Sequence, residues 1–241
     1  MTAEVVCGDS AAYMRGMVDG SVDAVLTDPP YAEKTHAGAR TNKGGSKKDA
    51  VKLITFDSLT TEAFLAFAAE AVRVARRWVV MTCDWRHAAA AQEADLPVVR
   101  LGVFVKPDAM PQLTGDRPGM GWEAVLILHR EGRKRWNRGG HHAVWTCPVE
   151  RNNVHPTQKP LRLYRNWVRD FTDPGELVFD PFAGAGTTGV AAKLEGRRCL
   201  LVEREEKYVA VCRRRLAALD DGLLPAARFV SPTDADGRLK L

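Results

Sequence analysis

No run of apolar residues in this chain approaches the roughly 20 needed to cross a bilayer. The strongest runs, Trp78–Thr82 and Val125–Leu128, are short, and no N-terminal stretch resembles a signal peptide. A soluble cytoplasmic protein is therefore expected. Cysteine is sparse: Cys7, Cys83, Cys147, Cys199 and Cys212 are odd in number, widely spaced and never arranged as Cys-x-x-Cys. That pattern argues against a disulfide framework and against a zinc site, so the thiols read as buried or incidental. No low-complexity segment and no internal repeat occurs. What is present suits one substantial core: 241 residues, 45% hydrophobic and 27% charged. Lys plus Arg number 35 against 30 for Asp plus Glu, a net charge of +5 compatible with a polyanionic partner. The excess concentrates in residues 32–52, where Lys34, Arg40, Lys43, Lys47, Lys48 and Lys52 face only Glu33 and Asp49.

Short β-branched runs alternate with longer amphipathic ones, which predicts an α/β fold with helices around a mostly parallel sheet. Seven strands are expected: Glu4–Cys7, Asp23–Thr27, Trp78–Thr82, Val98–Val105, Ala124–His129, Leu177–Asp180 and Cys199–Glu203. Helices are expected over Thr61–Arg77, Pro160–Phe171, Thr187–Leu194 and Glu205–Leu219, with Pro160 at a first helical position, where its missing N–H costs nothing. Two irregular stretches, 32–52 and 131–154, exceed ordinary connections and are candidate functional loops. A single catalytic domain over 1–230 and a flexible tail over 231–241 complete the expected organisation.

The segment Leu177-Val-Phe-Asp-Pro-Phe-Ala-Gly184-Ala-Gly186-Thr-Thr-Gly189 reads as strand, tight turn and helix start. Gly184 and Gly186 can take positive φ and admit a ligand close to the backbone, and Gly189 permits close helix–strand packing. Glu203 ends the next apolar strand, where its carboxylate can accept from ribose hydroxyls. Together these point to an adenosine-containing cofactor. Only a helix and a short tail follow Glu203, so the remaining strands must come from the N-terminal part. That places Asp9 and Asp28 on the same sheet edge as Gly184, the edge where open α/β sheets bind ligands.

The strand ending at Thr27 runs into Asp28-Pro29-Pro30-Tyr31. Two consecutive prolines fix φ and remove two donors, leaving a rigid turn of acceptors. Acceptors aimed at an exocyclic NH2 group would hold its nitrogen toward an electrophilic methyl and stabilise the positive charge that develops there. Tyr31 offers a face for stacking a base. On Asp28-Pro-Pro-Tyr31, Phe182-Ala-Gly184-Ala-Gly186 and His155-Pro-Thr-Gln-Lys-Pro160, with the catalytic turn first in the chain and the glycine turn last, the chain resembles the amino-methylating DNA methyltransferases, specifically their permuted beta group.

The resemblance covers most of the chain and implies a Rossmann-like S-adenosylmethionine-dependent fold with a seven-stranded, mostly parallel sheet. It implies transfer to N6 of adenine in DNA after base flipping, with N4 of cytosine as the alternative and an RNA substrate behind that. Asp28, Pro29, Pro30 and Tyr31 would be catalytic. Asp9 would lie near the cofactor's adenine, Glu203 at its ribose and Asp180 near its methionine, with Lys159, Phe182, Ala183, Gly184, Gly186 and Thr187 completing the cofactor site. His155 reads as a structural residue before a proline. Lys34, Arg40, Lys43, Lys47 and Lys48, with Arg133, Lys134, Arg135 and Arg138, would track phosphates, giving affinity rather than readout. Trp136, Asn137 and the Gly139-Gly140-His141-His142 turn fall where the beta group carries its target-recognition region, here a small insertion over 131–154. Its size suggests a short site or help from a second subunit. The partners implied are double-stranded DNA, a homodimer mate and a cognate restriction endonuclease. A nicotinamide-dependent oxidoreductase would leave Asp28–Tyr31 and the basic loop unexplained, and a catalytically silent DNA-binding module would leave both motifs without a role.

Overall fold

The structure, a computed structural model, describes residues 2–30, 59–109, 111–112, 115–149 and 158–221. Its centre is an eight-stranded sheet of β1 (Ala3–Cys7), β2 (Val22–Thr27), β3 (Ala75–Cys83), β4 (Val98–Val105), β5 (Trp122–His129), β6 (Val144–Thr146), β7 (Leu177–Asp180) and β8 (Arg198–Glu203). The spatial order is β1-β8-β7-β2-β3-β5-β4-β6, and only β5 runs against its neighbours. All six residues of β2 are buried, as expected of a central parallel strand covered on both faces. Ala24 and Leu26 enter one core and Val25 the other, the alternation a strand imposes.

Helices α1 (Ser10–Arg15), α2 (Thr61–Val74) and α3 (Trp85–Glu93) cover one face, and α4 (Leu161–Phe171), α5 (Thr187–Leu194) and α6 (Glu206–Asp220) the other. Trp145, Trp167 and Phe171 make the α4 side the aromatic one. Among the described residues, no helix is long and apolar enough to cross a membrane. All five cysteines are free thiols, four buried and Cys7 exposed.

Each expected strand is present, and the sheet gains β6, a three-residue edge strand too short to read as periodicity. The helix expected over Thr61–Arg77 stops at Val74, because Ala75 takes extended backbone (ψ 137°) and opens β3 opposite Val22. Sheet pairing overrides the helical preference of Ala-Arg-Arg there. Pro160 stands outside α4 as its N-cap, with φ −60° and ψ 131°, rather than at the first helical position. Helices α1 and α3 were not expected. Each opens on an aspartate whose carboxylate accepts a backbone N–H: Asp9 from Ala12 (2.8 Å) and Asp84 from Arg86 (2.9 Å). The last described residue is Asp221, so the tail expected at 231–241 lies outside the described residues.

Candidate active site

The C-terminal ends of the parallel strands converge on one edge, where a cleft of about 1030 Å³ opens. The turn after β7 forms one wall. Gly184 sits at φ 51° with open space where a Cβ would point, and its N–H donates to Glu203 Oε2 at 2.8 Å. The other Glu203 oxygen accepts from the Glu205 N–H at 2.8 Å. This carboxylate therefore ties two cleft turns together while keeping lone pairs for a ligand's hydroxyls. Gly186, at φ 79°, caps α5 with no side-chain hydrogen bond, so the first-turn N–H groups of that helix keep their donors. Beneath the turn, Asp180 accepts from Thr27 Oγ1 (2.7 Å), from the Phe182 N–H (3.0 Å) and from Thr188 Oγ1. Burial pushes its carboxyl up to about 6, against the pull of those hydroxyls.

Asp28 and the two prolines form the facing wall. One carboxylate oxygen of Asp28, Oδ1, takes both the Thr82 hydroxyl and the Lys159 ammonium, the latter at 3.0 Å. Lys159 also reaches Glu123 Oε2 at 3.1 Å, and Lys106 reaches Glu123 Oε1 at 2.9 Å. Burial raises the Asp28 pKa above the ordinary carboxylate value; the Lys159 charge and the Thr82 hydroxyl oppose this, and the Glu123 charge adds to it. Burial disfavours the Lys159 ammonium, but the charges of Asp28 and Glu123 outweigh burial and hold it protonated well above its usual range. Tyr164, on α4, is buried at the same edge and kept a neutral phenol by burial and the charges of Asp180 and Asp28. A rigid, donor-free turn with one oriented carboxylate thus faces a glycine turn across a cavity large enough for a nucleoside-sized ligand.

The chain is 31% identical over 228 residues to YubD of Escherichia coli (strain K12), named as a methylase, covering 91% of this chain and 92% of that protein. The family model described as DNA methylase, of the N6/N4 class, matches residues 113–214. The chain belongs to the N6/N4 DNA methylase family. Solved structures agree on the fold. The complex of M1.HpyAVI with SAM matches 89% of this chain and all of that one at 23% identity and a TM-score of 0.65. The PvuII DNA methyltransferase, named as cytosine-N4-specific, matches 95% of this chain and 90% of that one at 18% identity and a TM-score of 0.71. The sheet is that of the S-adenosylmethionine-dependent methyltransferases, with the permuted motif order that the resemblance implies.

In this methylase, Asp9, Asp28, Pro29, Pro30, Asp180 and Phe182 all line the one cleft, as do Ala183, Gly184, Thr187 and Glu203. Gly186 does not line it. A Cβ there would lie 2.3 Å from Cys212 Sγ, so this glycine lets α6 approach the turn. Lys159, expected among the cofactor-binding residues, lines the cleft and is paired there with the carboxylates of Asp28 and Glu123. Tyr31, Lys34, Arg40, Lys43, Lys47, Lys48 and His155 lie outside the described residues.

The segment 131–143 departs most from expectation. It leaves β5 at His129, beside the start of β3, and enters β6 only at Val144, so it occupies the sheet end opposite the cleft. The Trp78 indole donates to the Arg135 carbonyl at 2.6 Å, and Asn137 Nδ2 donates to the carbonyls of Arg169 and Thr172 at the α4 C-terminus. Trp136 packs on Trp145 and Phe171. Arg135 and Arg138 meet Asp173 (2.7 Å) and Asp170 (3.6 Å), and Arg133 and Lys134 belong to the same far-end segment. These four cations, expected to track phosphates, therefore lie at the sheet end away from the cleft. Lys106, Glu123 and Tyr164, which line the cleft, and Thr82, buried behind it on Asp28, escaped the sequence reading. Their one signal was position: Lys106 and Glu123 sit at the ends of apolar runs that pair as a hairpin, with Phe104 opposite Glu123.

Proposed function

We propose that this methylase transfers a methyl group from S-adenosyl-L-methionine to the exocyclic N6 of adenine in double-stranded DNA, acting on a base flipped out of the helix. The observation that carries the reading is Asp28: a carboxylate on a Pro-Pro turn that lines the cleft and is oriented by the Thr82 hydroxyl and the Lys159 ammonium. The open face of Gly184 and the Glu203 carboxylate beside it fit an adenosine-bearing donor, with Asp9 and Phe182 on the same wall. When bound, that donor supplies an electrophilic methyl carbon on a sulfonium centre.

The protein's part is orientation and charge. Asp28 Oδ2 and the carbonyls of the Pro29–Pro30 turn accept the two amine hydrogens, which directs the nitrogen lone pair into the cleft and stabilises the positive charge growing on nitrogen. Flipping costs a few kcal/mol, and stacking on Tyr31, the next residue in the chain, returns roughly 1–3 kcal/mol. Asp rather than Ser at the head of the turn favours adenine within the resemblance described above.

The decisive experiment is transfer of labelled methyl to unmethylated duplex DNA, followed by digestion and identification of the nucleoside. N6-methyladenine is expected. N4-methylcytosine would overturn the choice of base, and label in RNA alone the choice of polymer. Asp28→Ala should lower the transfer rate by about 10²–10⁴-fold with donor binding largely retained. An equal loss of donor affinity in calorimetry would show that Asp28 belongs to the donor site instead.

A further inference from the structure

Four charged side chains run along the cleft edge in alternating sign: Asp28 after β2, Lys159 before α4, Glu123 on β5 and Lys106 at the end of β4. Their side chains are only 11–19% exposed, so solvent screens them weakly. Lys159 Nζ stands almost midway between two carboxylates, 3.0 Å from Asp28 and 3.1 Å from Glu123, and Lys106 holds Glu123 from its other side at 2.9 Å. The Lys159 ammonium is pulled from two sides.

We infer that Glu123, anchored by Lys106, is a positioning residue that holds Lys159 between the two carboxylates and so keeps Asp28 an acceptor for the target amine. The inference deepens the reading of Asp28 as the carboxylate that receives that amine, and rests on it. Released from Glu123, Lys159 would settle onto Asp28 and weaken it as an acceptor. The groups facing this array from the surrounding elements are Thr82 on β3, Tyr164 on α4 and Asp180 on β7. Tyr164 stays neutral, and Asp180 is engaged with Thr27 and Thr188. Glu123 and Lys106 are therefore the charges whose removal should be felt most cleanly at Asp28.

The sign of the effect distinguishes positioning from loss of packing. Glu123 repels a second negative charge and so raises the Asp28 pKa. Glu123→Gln should lower it, whereas Lys106→Met, which removes one of the two cations on Glu123, should raise it. The test combines single-turnover methyl transfer across pH with ¹³C NMR titration of the Asp28 carboxyl in the full-length enzyme. For Glu123→Gln, the expected outcome is a transfer rate lower by about tenfold at neutral pH and saturating substrates. Donor affinity should stay within about twofold, with the Asp28 titration moved to lower pH. Lys106→Met should move the titration the opposite way, which also covers the case in which Glu123→Gln folds poorly. Unchanged titrations in both variants, or a rate loss that follows donor affinity, would overturn the inference. Asp28→Asn separates the two readings: if it remains fully active, the assignment of Asp28 itself has failed, and this inference with it.

Discussion

Gly184 and Gly186 lie two positions apart and share left-handed backbone, yet substituting them should fail in different ways. A methyl at Gly184 meets open space, so Gly184→Ala carries only the conformational cost of φ 51°, roughly 1 kcal/mol of stability. Its larger effect should fall on donor affinity, because the methyl would project from the cleft turn. At Gly186 the methyl would run into Cys212 Sγ and Cβ in the core, and Gly186→Ala should cost about 2–4 kcal/mol. Denaturant unfolding of both variants, with calorimetry of donor binding, separates them: equal stability losses would contradict the assignment of one glycine to the cleft and the other to packing. The glycine pattern was legible in the sequence because φ > 0 is a local demand. The division of labour between the two was not, since it depends on α6 arriving from later in the chain.

Among the elements, the legible ones were those whose own residues decide them. Strands β2, β7 and β8 read directly from apolar runs. The start of β3 did not, because Ala75-Arg-Arg77 is helical by preference and becomes strand only by pairing with β2. Helices α1 and α3 were legible in principle from their capping aspartates, but each is too short to show a full apolar period. In segment 131–143 Arg, Lys and Trp suggest nucleic acid, whereas the structure shows packing that clamps the segment to α4. Asn137→Ala should therefore destabilise the fold by about 0.5–1.5 kcal/mol, through loss of its hydrogen bonds to the carbonyls of Arg169 and Thr172, and leave DNA affinity as it was. A thermal melt and a DNA titration on the same preparation check this, and weakened DNA binding at full stability would restore the segment to a recognition role.

For the whole molecule, the site was legible as a set of motifs before it was a place. Asp28 and Gly184 are far apart in the chain, and only the parallel order β8-β7-β2 brings their turns to one edge. Charge is distributed less evenly than a net +5 suggests, since the cations of 131–143 lie at the end away from the cleft. Phosphate binding in the proposed function then falls to the basic stretch that follows Asp28–Tyr31. Neutralising Lys43, Lys47 and Lys48 together should flatten the dependence of DNA affinity on salt, by about 0.9 in the log–log slope for each phosphate that the protein no longer neutralises. Neutralising Arg133 and Lys134 should leave that slope in place. Fluorescence titrations over a salt series read both, and a steep slope in the triple variant would remove the stretch from the interface.

Among the described residues, the first strand has a single neighbour in the sheet, and that neighbour is the last strand: Val5 lies opposite Leu201, and the Thr2 carbonyl receives the Cys199 N–H. During synthesis, β1 must therefore wait, unpaired, until nearly all of the described chain has left the ribosome. Contacts this remote in sequence form late and slowly. The turns carrying Asp9 and Glu203 consequently come together last, and a nascent fragment lacking β8 has only part of the cleft lining.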